Sequence, residues 1–108
     1  MKCTIVIPNR EPFPLSVETD EFIHFQGNEV FTYNNSPYNS IAQNVDSFSL
    51  LIDDKTSFRV IIPDREPFPL ELDRQGNILY VNNAILLFDG TTYTVLAENV
   101  VGFEVEWL

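Results

Sequence analysis

A duplicated segment constrains the fold of this chain more than any other feature of its sequence. Residues 7–15 read Ile-Pro-Asn-Arg-Glu-Pro-Phe-Pro-Leu, and residues 62–70 repeat them with one change, at the third position. The offset of 55 continues without a gap, and 15 of the 53 aligned positions are identical. Self-similarity at a fixed period indicates a chain built from copies of one structural unit. We therefore divide the sequence into repeat 1 (1–55) and repeat 2 (56–108).

The two repeats are expected to form one domain. A unit of 55 residues lies near the lower limit for an independent hydrophobic core. Only the polar, turn-like segment Asp53-Asp54-Lys55-Thr56 joins the units, so no flexible linker separates them. We predict a single domain over residues 1–108 in which both repeats share one core and are related by pseudo-twofold symmetry.

The hydrophobic pattern is that of strands. Residues 4–7 and 58–62 are runs rich in β-branched residues, and a proline follows each of them. Gly27-Asn28, Asn82-Asn83 and Asp89-Gly90 separate apolar runs and are typical of tight hairpin turns, the last of type I′. The sequence predicts an all-β fold of short antiparallel strands, five or six to a repeat and arranged in meanders.

The repeated Arg-Glu-Pro-Phe-Pro-Leu segment carries two prolines around a phenylalanine. Because proline cannot donate to a strand ladder, we expect this segment on a sheet edge or in an extended connection, with the phenylalanine anchored in the core. Two interpretations stay open. The segment is either a brace that the fold needs, or one of a symmetric pair of binding loops whose candidate residues are Arg10, Phe13, Arg65 and Phe68.

Few residues are suited to catalysis or metal binding. His24 is the one histidine, and we expect it to be a surface or half-buried packing residue of a strand. Cys3 is the one cysteine and is expected to pack as a small apolar residue. We interpret the Asp73–Asn77 stretch as a hairpin turn, because it lacks the downstream glutamate of a calcium loop. The sequence therefore predicts no catalytic residues, no metal site, no cofactor and no enzymatic activity.

Three aromatic residues have no obvious core position. Trp107 ends an alternating C-terminal strand, and Tyr38 and Tyr93 occupy matched positions of the two repeats. Aromatic residues dominate interface energetics, but in a domain this small the core is the favoured place for each of them.

The charge balance narrows the class of partner. The chain has 6 Lys and Arg against 16 Asp and Glu, which gives a net charge of -10. Such a charge repels nucleic acids and anionic membranes and favours basic surfaces. Hydrophobic residues make up 44%, enough for a folded core, and no apolar run reaches the roughly 20 residues that span a bilayer. A soluble, cytoplasmic protein is expected.

These observations favour an acidic protein–protein interaction module without enzymatic activity. Its concrete form is a small inhibitor, like those that phages encode, which occupies the basic nucleic-acid-binding cleft of a partner enzyme and does not itself bind nucleic acid. Acidic residues expected on turns or solvated strand faces are the candidate contacts: Glu18, Asp20, Glu21, Asp53, Asp54, Glu71, Asp73, Glu104 and Glu106.

A second hypothesis comes from a resemblance. Residues 85–107, a strand and a turn followed by Val-Leu-Ala-Glu-Asn-Val and an alternating strand, resemble the C-terminal β-meander of minor pilins and pseudopilins. Members of that family carry a long apolar N-terminal helix, which these 108 residues lack. The resemblance informs a structural hypothesis: a repeat-built subunit of an assembly, a pilin-like or phage-particle-like β domain whose edge strands pair between copies. A symmetric small-ligand binder with a groove between the repeats, and a homodimer, remain further alternatives.

Overall fold

A computed structural model describes residues 2–16, 22–33, 38–52, 56–72 and 76–107, the side chains at positions 2, 56 and 72 excepted. These residues form strands and turns. The first six strands are β1 (Lys2–Val6), β2 (Phe13–Ser16), β3 (Phe22–Gln26), β4 (Glu29–Tyr33), β5 (Asn39–Ala42) and β6 (Phe48–Ile52). The next six are β7 (Thr56–Ile61), β8 (Phe68–Leu72), β9 (Asn77–Val81), β10 (Ala84–Phe88), β11 (Tyr93–Ala97) and β12 (Phe103–Trp107). The all-β prediction is confirmed.

The strands form two antiparallel sheets of six. Sheet A has the order β11-β10-β9-β6-β1-β2, and sheet B has the order β5-β4-β3-β12-β7-β8. Each sheet contains three of the strands β1 to β6 and three of the strands β7 to β12. If each of the strands β1 to β6 is exchanged with the strand six numbers later, so that β1 and β7 change places and β6 and β12 change places, the order of sheet A becomes that of sheet B. The described part of the chain contains no helix long and apolar enough to cross a membrane.

The two sheets pack face to face around one core. Alternate residues of β3, β6, β9 and β12 are buried, which is the pattern of strands with one face covered. Phe25 of sheet B lies 4.8 Å, ring to ring, from Tyr80 of sheet A and 5.2 Å from Phe48 of the same sheet. Trp107 (3% exposed) and Cys3 (1% exposed) are also in the core, as predicted for Cys3 and favoured for Trp107.

Residues with positive φ form several of the turns. Gly27 and Asn28 (both φ 60°) and Asn82 and Asn83 (φ 53° and 62°) each join paired strands in a two-residue loop. Positive φ at both central positions defines the type I′ turn, which matches the twist of the flanking strands. Both of these predicted hairpins are confirmed.

The one difference within the duplicated nonapeptide falls where the backbone tolerates it. Asn9 (φ 66°) and Asp64 (φ 64°) each follow a proline in a turn closed by an N–H···O bond of 3.1 Å, from Arg10 to Ile7 in one and from residue 65 to residue 62 in the other. A type II turn needs positive φ at its third residue, and asparagine and aspartate adopt it more readily than other side chains.

Three predicted local structures are wrong. Phe88 pairs with Tyr93, so the β10–β11 loop has four residues and Asp89 does not have positive φ; it is not a type I′ turn. The strands on either side of the Asp73–Asn77 stretch, β8 and β9, lie in different sheets and so do not form the predicted hairpin; residues 73–75 are outside the described ranges. The meanders are interrupted, because β6 and β12 leave the sheets of β5 and β11, respectively.

The Asp89 carboxylate stabilises the β10–β11 loop instead. It accepts the backbone N–H groups of Thr92 and Thr91, each at 2.9 Å, and these bonds lower the pKa of Asp89 to about 2. A group whose pKa falls on folding contributes stability that is present above its ordinary pKa and is lost as the pH falls through the folded value. We expect Asp89→Asn to remove part of the loss of stability between about pH 4 and pH 2.

Urea unfolding at pH 2 to 5 measures this effect. The matched control is Asp64→Asn, because the aligned position already carries Asn9 in a turn of the same backbone conformation. Equal acid dependence of the wild type and Asp89→Asn would refute the role of this carboxylate.

Candidate interaction surfaces

The outer face of sheet B carries the charged strand residues whose side chains are described. We call this surface the acidic face. Its strand residues point away from the core by the alternation of burial and by the strand register. They are Phe22, His24, Gln26, Glu29, Phe31, Tyr33, Ser40, Ser57, Arg59, Ile61, Pro69, Glu71, Glu104 and Glu106.

The acidic face carries four carboxylates and one guanidinium. Arg59 donates through Nε (3.0 Å) and Nη2 to the same Oε1 of Glu106, which faces it across β7 and β12. Glu71 accepts the Ser57 hydroxyl at 3.3 Å, and Glu29 accepts the Ser40 hydroxyl at 2.6 Å. Neutral hydroxyl donors leave the negative charge of Glu71 and Glu29 in place. The face is therefore acidic.

His24 lies at the centre of the acidic face and is half-buried, as predicted. Its Nε2 is 2.9 Å from Gln26 Oε1. Its Nδ1 lies 3.2 Å from Glu104 Oε1, but without hydrogen-bond geometry, and has no hydrogen-bond partner among the described residues. The short distance places a carboxylate beside the ring edge, where it would form an ion pair with a protonated imidazole.

An aromatic group covers the β4–β5 side of the same face. The Tyr38 ring stacks on Tyr33 at 4.7 Å, meets Phe31 edge-on at 5.7 Å and lies 5.4 Å from His24. Phe22 packs beside Tyr33 at 6.1 Å. Tyr38 is 51% exposed, so the favoured core placement of this residue is wrong, and Tyr93 is 58% exposed and also outside the core. Ring contacts with its neighbours hold Tyr38 at the surface.

A groove opens at the end of β12 beside His24. It has a volume of about 210 Å³, and its apolar walls come from Ile61, Pro63, Val101 and Phe103. Gly102 lies in the wall, where a Cβ atom would come within 3.0 Å of the Phe25 carbonyl oxygen. A side chain at this position would therefore crowd the Phe25 backbone unless one of the two segments shifted by a few tenths of an ångström.

The outer face of sheet A has the opposite character. We call it the neutral face, because none of its described strand side chains is charged. Lys2, whose side chain is outside the description, begins β1 opposite Ser16 at one end of the sheet. The described residues are Thr4, Val6, Pro14, Ser16, Ser49, Leu51, Asn77, Leu79, Val81, Ala84, Leu86, Phe88, Tyr93 and Val95.

The second proline of each duplicated segment, Pro14 or Pro69, lies in an edge strand, β2 or β8, as predicted. The first, Pro12 or Pro67, directly precedes that strand. Arg10 Nη2 donates to the Asn44 carbonyl oxygen at 2.9 Å, and Arg65 Nη2 donates to the carbonyl oxygens of Glu98 (2.9 Å) and Asn99 (3.1 Å). Arg10 thus connects the turn after β1 to the loop after β5, the outermost strand of the opposite sheet. Arg65 connects the turn after β7 to the loop after β11, which is likewise the outermost strand of the opposite sheet. This geometry favours the brace interpretation, and the binding-loop interpretation stays a prediction.

The two phenylalanines of these segments differ. Phe68 is half-buried and packs against the core, as expected. Phe13 is 45% exposed, so the expected anchoring of this residue in the core is wrong. It borders an open depression with Arg10 and Ile41, where the side chain is only partly covered.

Three of the nine acidic residues proposed as partner contacts are described, and all three lie on the acidic face: Glu71, Glu104 and Glu106. Six lie outside the described residues: Glu18, Asp20, Glu21, Asp53, Asp54 and Asp73. Sequence reasoning missed Glu29 and the aromatic group around Tyr38. The alternation of β4 could have placed Glu29 on a solvated face, but no local signal shows that β4 joins the sheet of β12.

No group of three or more histidine, cysteine, aspartate or glutamate residues in the described ranges is arranged to hold a metal ion. Comparison of the chain with protein-family models, with curated proteins and with solved structures gives no match.

Proposed function

We propose that the protein is a non-enzymatic interaction module that binds a basic protein surface through its acidic face. One observation carries this proposal: the charged strand residues with described side chains gather on a single sheet face, four carboxylates with one arginine. Glu71, Glu104 and Glu106 belong to this set. A rigid sheet holds these charges at constant spacing, so little conformational entropy is lost on binding.

Electrostatics defines the partner. A net charge of -10 attracts a basic surface over a distance set by the ionic strength and raises the association rate. Surfaces that bind nucleic acids are basic because they neutralise phosphates. We propose that the acidic face occupies such a surface on a nucleic-acid-binding protein and so competes with its nucleic acid.

The aromatic group supplies the second component of an interface. Tyr38 is about half exposed, and its ring stacks on Tyr33 and meets Phe31 edge-on. Tyrosine is enriched at binding hot spots because it buries a large area at low entropic cost and offers a hydroxyl. The charges attract the partner, and Tyr38 with its neighbours adds apolar contact.

We further propose that the fold arose by duplication and has a pseudo-twofold axis relating the two repeats. The interchangeable strand orders of the two sheets support this origin. Further support comes from backbone bonds repeated at the 55-residue offset, such as Val45 N–H to Asn28 O and Val100 N–H to Asn83 O, both 2.8 Å. On this proposal the two outer faces began alike and diverged in charge.

Two triple variants of equal charge test the binding face. The face variant carries Glu71→Gln, Glu104→Gln and Glu106→Gln. The control carries Glu11→Gln, Glu66→Gln and Glu98→Gln, all exposed positions outside the acidic face. Each has a net charge of -7, so only the position of the lost charges differs. We expect the face variant to bind about tenfold more weakly at low salt, and the control to bind nearly as the wild type.

The measurement is affinity capture from a lysate in a salt series, with identification of bound proteins, followed by titration of the captured protein and its labelled DNA or RNA. The proposal expects a basic protein that releases its nucleic acid when the wild type is added. Equal weakening of binding by both triple variants would mean that net charge alone explains the effect. Undiminished binding by the face variant would exclude the acidic face as the binding surface.

A further inference from the structure

The neutral face exposes several large apolar side chains on a strongly acidic protein. Leu51, Val95 and Tyr93 are 37%, 52% and 58% exposed on it, and they account for three of the six large exposed hydrophobic side chains in the described ranges. Phe88 packs against Tyr93 at 4.6 Å between ring centroids. Large apolar side chains that are exposed together on one sheet face are typical of an interaction site.

The fold does not require this face to be uncharged. The 55-residue offset relates every strand position on it to one on the acidic face. There Leu51 corresponds to Glu106, Ser49 to Glu104 and Thr4 to Arg59. The same pleated scaffold therefore accepts ionic side chains at these places in sheet B. A structural requirement of the strands does not explain why the described strand side chains of the neutral face include none.

We propose that the neutral face binds the same face of a second copy of this chain, forming a twofold-symmetric dimer. An isologous interface places each patch against its own copy, so an apolar, uncharged surface is chemically complementary to itself. The two acidic faces then lie on opposite outer surfaces of the dimer, where both remain accessible.

The distribution of charge favours a second copy of the chain, and not the basic partner, as the molecule that binds the neutral face. A basic protein gains no ion pair from the described strand side chains of the neutral face, which include no carboxylate, whereas the acidic face offers it four. Two copies that each carry -10 repel one another, and contact through described side chains without charge brings no like charges into direct opposition. The apolar area removed from water opposes the remaining long-range repulsion.

The size of the face predicts a reversible dimer. Six strands at about 4.8 Å spacing, each of about five residues at 3.4 Å, span about 24 Å by 17 Å between outer strand axes. Because side chains project from the sheet, its accessible area exceeds the product of these two lengths and approaches the lower range of specific interfaces. We therefore expect dissociation at low protein concentration.

Sedimentation velocity over a protein concentration series, at low and high salt, tests the dimer. We expect the dimer fraction to rise with concentration and also with salt, because salt screens the repulsion between two acidic copies. Binding of a basic partner through the acidic face weakens with salt instead. The two opposite salt dependences separate failure of this inference from failure of the proposed function.

Val95→Lys and Ser40→Lys form a matched pair. The two positions are exposed, 55 residues apart, and lie on the neutral face and the acidic face respectively. We expect Val95→Lys to weaken the dimer by about tenfold or more, because it buries an unpaired charge, and Ser40→Lys to leave it intact. Far-ultraviolet circular dichroism and thermal unfolding check the fold of both, and Leu51→Lys provides a second neutral-face variant.

Three results would overturn the inference. One is a wild type that stays monomeric at all concentrations and salts. Another is equal weakening by Val95→Lys and Ser40→Lys, which would indicate a general charge effect. The third is a dimer that folded Val95→Lys and Leu51→Lys both leave intact, which would place the contact elsewhere, such as on a strand edge.

Discussion

Replacement of Phe25 by alanine is expected to lower the free energy of unfolding by about 3–5 kcal/mol. The Phe25 ring, 2% exposed, contacts Tyr80 and Phe48 in the opposite sheet and Phe103 in its own sheet. Removing it leaves a cavity between the sheets where β3 meets β12. Because small domains have stabilities of about 5–15 kcal/mol, this loss would leave the protein marginally folded.

Urea unfolding followed by tryptophan fluorescence measures this effect, since Trp107 is buried in the same core. Phe13→Ala is the matched control, because Phe13 is 45% exposed and its truncation is expected to cost less than about 1 kcal/mol. Similar losses for both variants would contradict the placement of Phe25 at the centre of the inter-sheet contact.

Tyr80→Phe is expected to lower the free energy of unfolding by about 1–3 kcal/mol. The Tyr80 hydroxyl donates to the Val100 carbonyl oxygen at 2.6 Å within the core, and Asn83 Oδ1 lies 3.3 Å away. Phenylalanine keeps the ring but leaves the buried carbonyl without this donor. The aligned residue of the first repeat is already phenylalanine, Phe25, so the ring itself suits such a position.

The same residue predicts an alkaline dependence of stability. Burial raises the pKa of Tyr80 above its ordinary value of about 10. A raised pKa means that the contribution to stability is present below the unfolded pKa and is lost as the pH rises through the folded pKa. Unfolding measured from pH 8 upward should show a decline that is smaller in Tyr80→Phe. Identical alkaline profiles would refute this assignment.

Local sequence patterns were sufficient to predict much of the secondary structure. Asparagine in Gly27-Asn28 and Asn82-Asn83 predicted the two tight hairpins because few other side chains adopt positive φ. The type I′ turn predicted from Asp89-Gly90 is wrong, because the Asp89 carboxylate accepts two backbone N–H groups and so stabilises a longer loop. The competing hydrogen bonds depend on two threonines beyond the expected turn, which the dipeptide pattern does not include.

Some of the candidate contacts could be predicted from a local pattern, the alternation of apolar and acidic residues along a strand. Alternation along β12 separated Val105 and Trp107, in the core, from Glu104 and Glu106, on the outer face. Alternation gives the side of a strand but not its neighbours. The proximity of Glu104 to His24, 80 residues earlier in the chain, comes from the pairing of β12 with β3.

The sequence by itself determined most of the strands, the solvated side of β12 and the hairpin turns at Gly27-Asn28 and Asn82-Asn83, because these follow from period-two alternation and from local backbone preferences. Only the tertiary structure decided which strands share a sheet. Backbone hydrogen bonds are the same for any strand partner, so the choice depends on packing between residues far apart in the chain. That choice places β4, β7, β8 and β12 together, and so separates an acidic face from a neutral one.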